Sequence, residues 1–310
     1  MLTSTARISS KLNFFDHLIT YAFYPSLLAT TLGLYFCALQ NRWNLAEVFV
    51  WMAGGRMVLL LTVEFWHPAK SEWKMTWPSF RRDLKYMVVN GGIASFLKVG
   101  ITWLALDWSR FNTGIVSNTS IAFEFLAILL VFEFFQYWYH RLSHEGPGRL
   151  GAWLWKVHLA HHLPDKVYLL MHPVGHPLNF VISLALVQLP LVVLGARPES
   201  IFLFNALMGL QGLVSHFNVN IKAGALNYLL VGTELHRYHH SADLAEAKNF
   251  GVLTPFWDMV FGTFRYQPER LPAALGVANP TIYPRSTQLG KVLLLPFRQG
   301  KRAGEPAKRV

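Results

Sequence analysis

Long apolar runs separated by short polar segments dominate the chain. The first, residues 17 to 40, is apolar and aromatic, with Pro25 placed to kink it. The second covers residues 45 to 66, the third 86 to 106 and the fourth 118 to 139. Each approaches the roughly 20 residues that a helix needs to cross a bilayer. Further on, residues 178 to 195 and 200 to 215 form an apolar hairpin around Gly195-Ala-Arg-Pro198, long enough to span or to dip in and return. The pattern predicts an all-α, polytopic integral membrane protein with about four transmembrane helices plus this re-entrant or spanning hairpin.

The polar residues inside the runs constrain the packing. Glu47, Arg56 and Glu64 lie in the second run, and Glu124, Glu133 and Gln136 in the fourth. Charges at membrane depth face other helices, so Arg56 or a neighbouring helix is the expected partner of the carboxylates. Gly91, Gly92 and Gly100 allow close helix approach in the third run. Tyr137, Trp138 and Tyr139, at the end of the fourth, read as an interfacial belt.

Composition agrees with this pattern. The 310 residues are 53% hydrophobic and 15% charged, whereas a soluble domain is about 25% charged. The single cysteine, Cys37, lies inside an apolar run, which excludes a disulfide framework and a cysteine-based metal site. The formal charge of +11 is carried by short segments between apolar runs. That placement argues for anionic lipid headgroups and against nucleic acid. Lys70, Lys74, Arg81, Arg82 and Lys85 mark the segment 67 to 85 as cytoplasmic, while the loop 107 to 117 holds only Arg110. Counted from a cytoplasmic N-terminus (Arg7, Lys11), four spans return the chain to the cytoplasm at His140. The N-terminal segment lacks the order of a cleaved signal peptide, so the first run is expected to be a retained anchor. The basic tail from Arg298 is expected to be disordered.

The candidate chemistry lies where the fourth run ends. His140 and His144 (HRLSH) are i and i+4, and His158, His161 and His162 (HLAHH) are i, i+3 and i+4. His236, His239 and His240 (HRYHH) repeat the second spacing. On helices such spacings gather imidazoles on one side, and neutral imidazole is the commonest transition-metal ligand. Eight histidines exceed one tetrahedral ion and suit two. With His140 followed by Arg141, the HExxH pair of an ordinary zincin is absent. A histidine-rich, carboxylate-poor set fits iron, zinc or copper by ligand type. Iron is preferred, because a scaffold beside a lipid pool invites C–H oxidation by O₂.

HRLSH, HLAHH, the later HFNVN, then LHRYHH and NFGVLTPFWDMVFGTF together resemble the fatty acid hydroxylase/sterol desaturase superfamily of membrane histidine-box di-iron oxygenases. The resemblance covers roughly residues 118 to 266. It implies residues 118–266 as the catalytic domain; with the apolar runs and charge pattern, 1–117 are expected to be N-terminal transmembrane helices, 267–310 a basic C-terminal tail, and the histidine elements a cytoplasmic helical metal-binding cap. It also implies two iron ions, O₂ as co-substrate, and hydroxylation or desaturation of a sterol-like, fatty acyl or aminolipid substrate. Electrons would come from a separate cytochrome b5, ferredoxin or rubredoxin-like donor. Carried over by position, the ligands are His140, His144, His158, His161, His162, His216, His236, His239 and His240. His176, Asn220, His172 and Asp258 are further candidates to ligate or to orient a ligand. The rival readings are a zinc-bound membrane lipid hydrolase or isomerase, and a histidine-lined metal transporter.

Overall fold

The computed structural model describes residues 13–109, 116, 119–268 and 270–298, with 98–109 as helix backbone alone. The regular elements among them are helical, with two isolated β-bridges besides. Helices α1 (Phe14–Tyr21), α2 (Phe23–Gln40), α3 (Leu45–Trp66) and α4 (Trp77–Ser109) precede α5 (Ile121–Glu145) and α6 (Gly148–His162). The hairpin follows as α7 (Pro177–Leu194) and α8 (Pro198–Ser215), then the short α9 (Thr233–His239), α10 (Phe256–Val260) and α11 (Leu289–Leu293).

Local chemistry sets the ends. Asn13 and Asp16 form a capping box on α1, and the side chains of Asn44 and Ser120 cap α3 and α5. Between α7 and α8, Gly195 closes the first helix in the left-handed region at φ 67°, and Pro198 opens the second. Glycine tolerates that φ and proline is pre-set for a first helical turn, so Gly-Ala-Arg-Pro folds as a tight hairpin.

Among the described residues, α3, α5 and α7 are long and apolar enough to cross a membrane. A fourth crossing results if α1 and α2, bent by 53° at their junction, act as one. Helix α3 shows why water is an unsuitable solvent here. It exposes Val50, Trp51, Val58, Phe65 and Trp66 on its outer surface, an apolar area that only lipid or protein covers favourably. The run 86 to 106 falls within α4, and its end, with Gly100, lies outside the described side chains. Arg7, Lys11 and the tail beyond Arg298 also lie outside the described residues, as does most of the loop 107 to 117.

Helix α5 is the hub, packed against α6, α7 and α8, while α2 and α3 brace α8 and α4 braces α7. The second hairpin arm is therefore an inner helix: Phe202, Phe204, Leu207, Leu210 and Val214 of α8 are buried. Buried polar pairs fix the register between helices, although not the pairs the sequence suggested. Arg56 bonds to the Ala206 carbonyl at 2.9 Å and to Thr31 Oγ1 at 3.0 Å, not to a carboxylate. Glu124 is taken by Arg197 of the hairpin turn at 2.6 Å, and Glu64 accepts the Leu169 and Asn218 amides at 2.9 and 2.8 Å. Tyr137 is no belt residue either, being fully buried with its hydroxyl against Thr263 Oγ1.

Candidate metal centre

Nine histidines converge where α5, α6, α9 and the end of α8 meet, in two groups whose ring nitrogens each lie within 4.8 Å of one another. His140, His144, His158, His162 and His239 form one; His161, His216, His236 and His240 form the other. The boxes do not map one to a group. Each HxxHH element divides itself, because i+4 lies about 40° to one side of i and i+3 about 60° to the other, so that the last two rings diverge by about 100°. His158 and His162 enter the five-histidine group and His161 crosses to the other. His236 and His240 enter the four-histidine group and His239 crosses back. The groups adjoin, with His162 and His240 stacked at 4.5 Å between ring centroids.

Within each group the Nε2 atoms point at one another. In the first, His140 to His158 is 3.1 Å, His158 to His162 3.0 Å and His162 to His239 3.1 Å. In the second, His161 to His216 is 3.1 Å, His216 to His236 3.0 Å and His236 to His240 3.1 Å. The opposite ring nitrogens say where the protons are. Nδ1 faces the carbonyl of Phe250 in His140 (2.8 Å), of Val174 in His161 (2.9 Å) and of Lys248 in His239 (3.1 Å). A carbonyl oxygen only accepts, so these Nδ1 atoms carry the hydrogen and Nε2 is left as a lone pair. His158 Nδ1 meets Asn179 Oδ1 at 3.0 Å, and His216 Nδ1 meets the Gly212 carbonyl at 3.2 Å, with the same outcome.

Lone pairs therefore face each other at 3.1 Å between His140 and His158 and between His161 and His216, an arrangement that a cation turns from repulsive to attractive. Two nitrogens each about 2.1 Å from one ion and at right angles lie roughly 3.0 Å apart, which is the spacing found. Burial keeps the rings neutral: it pushes His158, His162, His236, His239 and His240 well below the usual imidazole value, and His161 to about 4. The donor set thus fits two transition ions.

The other four candidates lie outside both groups. His176 caps α7, accepting the Leu178 amide at Nδ1 (3.0 Å) while Nε2 bonds to the Leu293 carbonyl (3.1 Å). Both of its nitrogens are occupied by this structural work. Asn220 is half-buried in a segment tied to the N-terminal helices through the Pro68–Val219 bridge and the bond from the Lys222 amide to the Thr20 carbonyl. His172 touches the second group from outside, Nδ1 lying 3.2 Å from His216 Nδ1, with its ring over Gly212. Asp258, expected to reach a histidine nitrogen, is one peptide removed. It accepts the Phe250 and Gly251 amides at 2.8 and 2.7 Å and so fixes the carbonyl on His140.

Sequence reasoning missed Asn249 and Asn179 among the residues that aim these rings, and the part that Glu133 plays beside them. Asn249, at φ 62°, turns the chain so that the carbonyls on either side of it serve His239 and His140; Asn tolerates that left-handed conformation better than most residues. Asn179 is shared between the hydroxyl of Tyr139 (2.7 Å) and His158. Glu133 accepts the amides of Val252, Leu253 and Thr254. With Asp258, it leaves five consecutive N–H groups bound by two buried carboxylates. The Asn-Phe-Gly step ahead of the WD element was the available signal.

Cavities flank the nest on two sides. One, of about 220 Å³, is lined by His140, His158, His161, His216 and His236 and by Phe132, Phe180, Val187 and Met208. The other, of about 640 Å³, reaches His144, His162 and His239 past Trp155, Lys248 and Tyr283.

Residues 125–263 match the family model described as fatty acid hydroxylase. The chain is 34% identical over 161 residues to the ornithine lipid hydroxylase OlsE of Rhizobium tropici, a stretch covering 51% of this chain and 47% of that protein. It is 26% identical over 149 residues to the very-long-chain aldehyde decarbonylase GL1-11 of Oryza sativa subsp. indica and subsp. japonica, covering 47% of this chain and 53% of theirs. The chain thus spans about half the length of these curated relatives. No solved structure matches. The matched segment contains the three histidine elements, HFNVN and the WD turn that closes on them, and through it this part of the chain resembles the fatty acid hydroxylase/sterol desaturase superfamily.

Proposed function

We propose that the chain is a di-iron oxygenase that hydroxylates an unactivated C–H bond of a membrane lipid. The observation that carries this reading is the pairing of two all-histidine groups with a largely apolar cavity opening directly on them. His140, His144, His158, His162 and His239 would hold one iron, and His161, His216, His236 and His240 the other. Bound there, the irons supply O₂ reduction and C–H oxidation, which no side chain can perform. One oxygen atom enters the C–H bond, and the other leaves as water with two electrons and two protons from an external reductant.

The protein's own part is positional. Nδ1–H bonds to the carbonyls of Phe250, Val174 and Lys248 hold three rings in one tautomer and orientation. Burial favours the neutral, ligating form of His158, His161, His162, His216, His236, His239 and His240. Phe132, Phe180, Val187 and Met208 admit an acyl chain and keep water from the reaction. The basic segment 67 to 85 supports a cytoplasmic position for the nest, where a soluble or membrane-bound electron donor would have access. The likeness to a lipid hydroxylase over a longer stretch and at higher identity than to an aldehyde decarbonylase favours hydroxylation.

The test is turnover. The full chain, purified from iron-replete cells and placed in vesicles of total bacterial lipid with a reductant and ¹⁸O₂, should yield a lipid carrying one ¹⁸O atom. Label-free lipids, or a hydrolysed product formed without O₂, would support the zinc hydrolase instead.

A further inference from the structure

Resting on the oxygenase reading, we propose that the cavity beside His140 contains a polar subsite built on Gln136. The lipid it accepts carries a hydrogen-bond donor, an amide N–H or a hydroxyl, close to the carbon that reacts.

Gln136 precedes His140 by four residues on α5, so Phe132, Gln136, His140 and His144 form one stripe with about one helical turn between neighbours. The side chain is 7% exposed, and its Oε1 has no hydrogen-bond partner. It lines the same cavity as His140, His158 and His216.

The other buried polar side chains of α5 are engaged elsewhere. Glu124 has Arg197, Glu133 has the amides of residues 252 to 254, and Tyr137 has Thr263 and Arg141. Tyr139, also on this helix, bonds to Asn179. A buried amide carbonyl without a donor is costly and uncommon in folded proteins. Its terminal torsion is broad, so the carbonyl can turn toward a group entering the cavity. Around it the wall is chiefly apolar, formed by Phe132, Phe180, Val187 and Met208. A largely apolar passage with an unpaired acceptor a turn from the metal nest favours a chain bearing a donor. It gains nothing from a plain alkane or an ester.

The experiment uses the iron-loaded full chain in detergent and three probes of equal chain length: N-dodecylacetamide, dodecanol and dodecyl acetate. Equilibrium dialysis gives affinity, and turnover with O₂ and reductant is scored separately. Wild type should bind the amide or the alcohol about tenfold more tightly than the ester. Gln136→Leu should abolish that preference while keeping metal content and melting temperature, and Gln136→Met serves if the leucine variant does not fold. Tighter amide binding points to an amide-linked lipid, and tighter alcohol binding to a hydroxylated chain. Equal affinity of wild type for all three, or a preference that survives in the variant, overturns the subsite. Selective binding with no oxygenated product leaves the subsite standing and overturns the oxygenase reading. Indiscriminate binding and oxidation of all three does the reverse.

Discussion

The carbonyl oxygen of Phe250 lies 2.8 Å from Nδ1 of His140, 110 residues earlier in the chain. The N–H of Gly251, which shares a peptide unit with that carbonyl, is given to Asp258 at 2.7 Å. One peptide thus connects a buried carboxylate to the orientation of a histidine it never touches. Replacing Asp258 with Asn removes the charge that holds the Phe250 and Gly251 amides. Retention of the ion in the five-histidine group should weaken about 10- to 100-fold, with the four-histidine group spared. Dialysis against graded chelator, followed by metal analysis, should show one ion leaving earlier than in wild type. Unchanged retention of both would contradict this.

Glu133→Gln addresses the neighbouring grip. Three amides, of Val252, Leu253 and Thr254, converge on this carboxylate. An amide in its place offers one accepting oxygen and turns its NH₂ toward a donor. The expected cost is about 1–3 kcal/mol for the amide left unsatisfied, read as a lower melting temperature in detergent. A melting temperature equal to wild type would show that the loop is held by other contacts.

Gly212 lies beneath the His172 ring: a Cβ there would approach Cε1 to 3.0 Å and Nε2 to 3.1 Å. His172 in turn touches His216 at 3.2 Å. Gly212→Ala should therefore lower occupancy of the four-histidine group. Adding His172→Ala should restore it, because the double variant removes the crowding. Equal loss in the single and double variants would place the effect in the backbone of α8.

Acid should destabilise the metal-free protein. Burial lowers His161 to about 4, and His158, His162, His236, His239 and His240 shift in the same direction. The unfolded chain, with imidazoles near 6.5, binds more protons than the folded one below that pH. Stability then falls as pH drops through about 6.5, and His161 contributes its full loss by about pH 4. Melting temperatures of chelator-treated protein between pH 7.5 and 4.5 should decline, and a flat profile would contradict the neutral, buried nest.

The histidine spacing made eight of the nine grouped residues legible, along with the apolar spans that bring them to one end of α5, and the ninth, His216, was legible only through the resemblance of HFNVN. Which box serves which group was not legible, since the division of each HxxHH depends on helix orientations that only packing sets. Asn179 and Asn249 were invisible for a related reason. Their partners are hydroxyls, ring nitrogens or backbone carbonyls distant in sequence, and a lone Asn carries no periodic signal. Arg56 misled because charge suggests a carboxylate partner, whereas a buried guanidinium can be satisfied by a carbonyl and a threonine hydroxyl.

Iron per chain, determined on intact protein from iron-replete cells and on its single-alanine variants, tests the two-ion nest most directly. Wild type should hold about two irons, one for each histidine group, and His239→Ala and His161→Ala should each retain about one. Iron content unchanged in both variants, or wild-type protein that binds no iron, would contradict it.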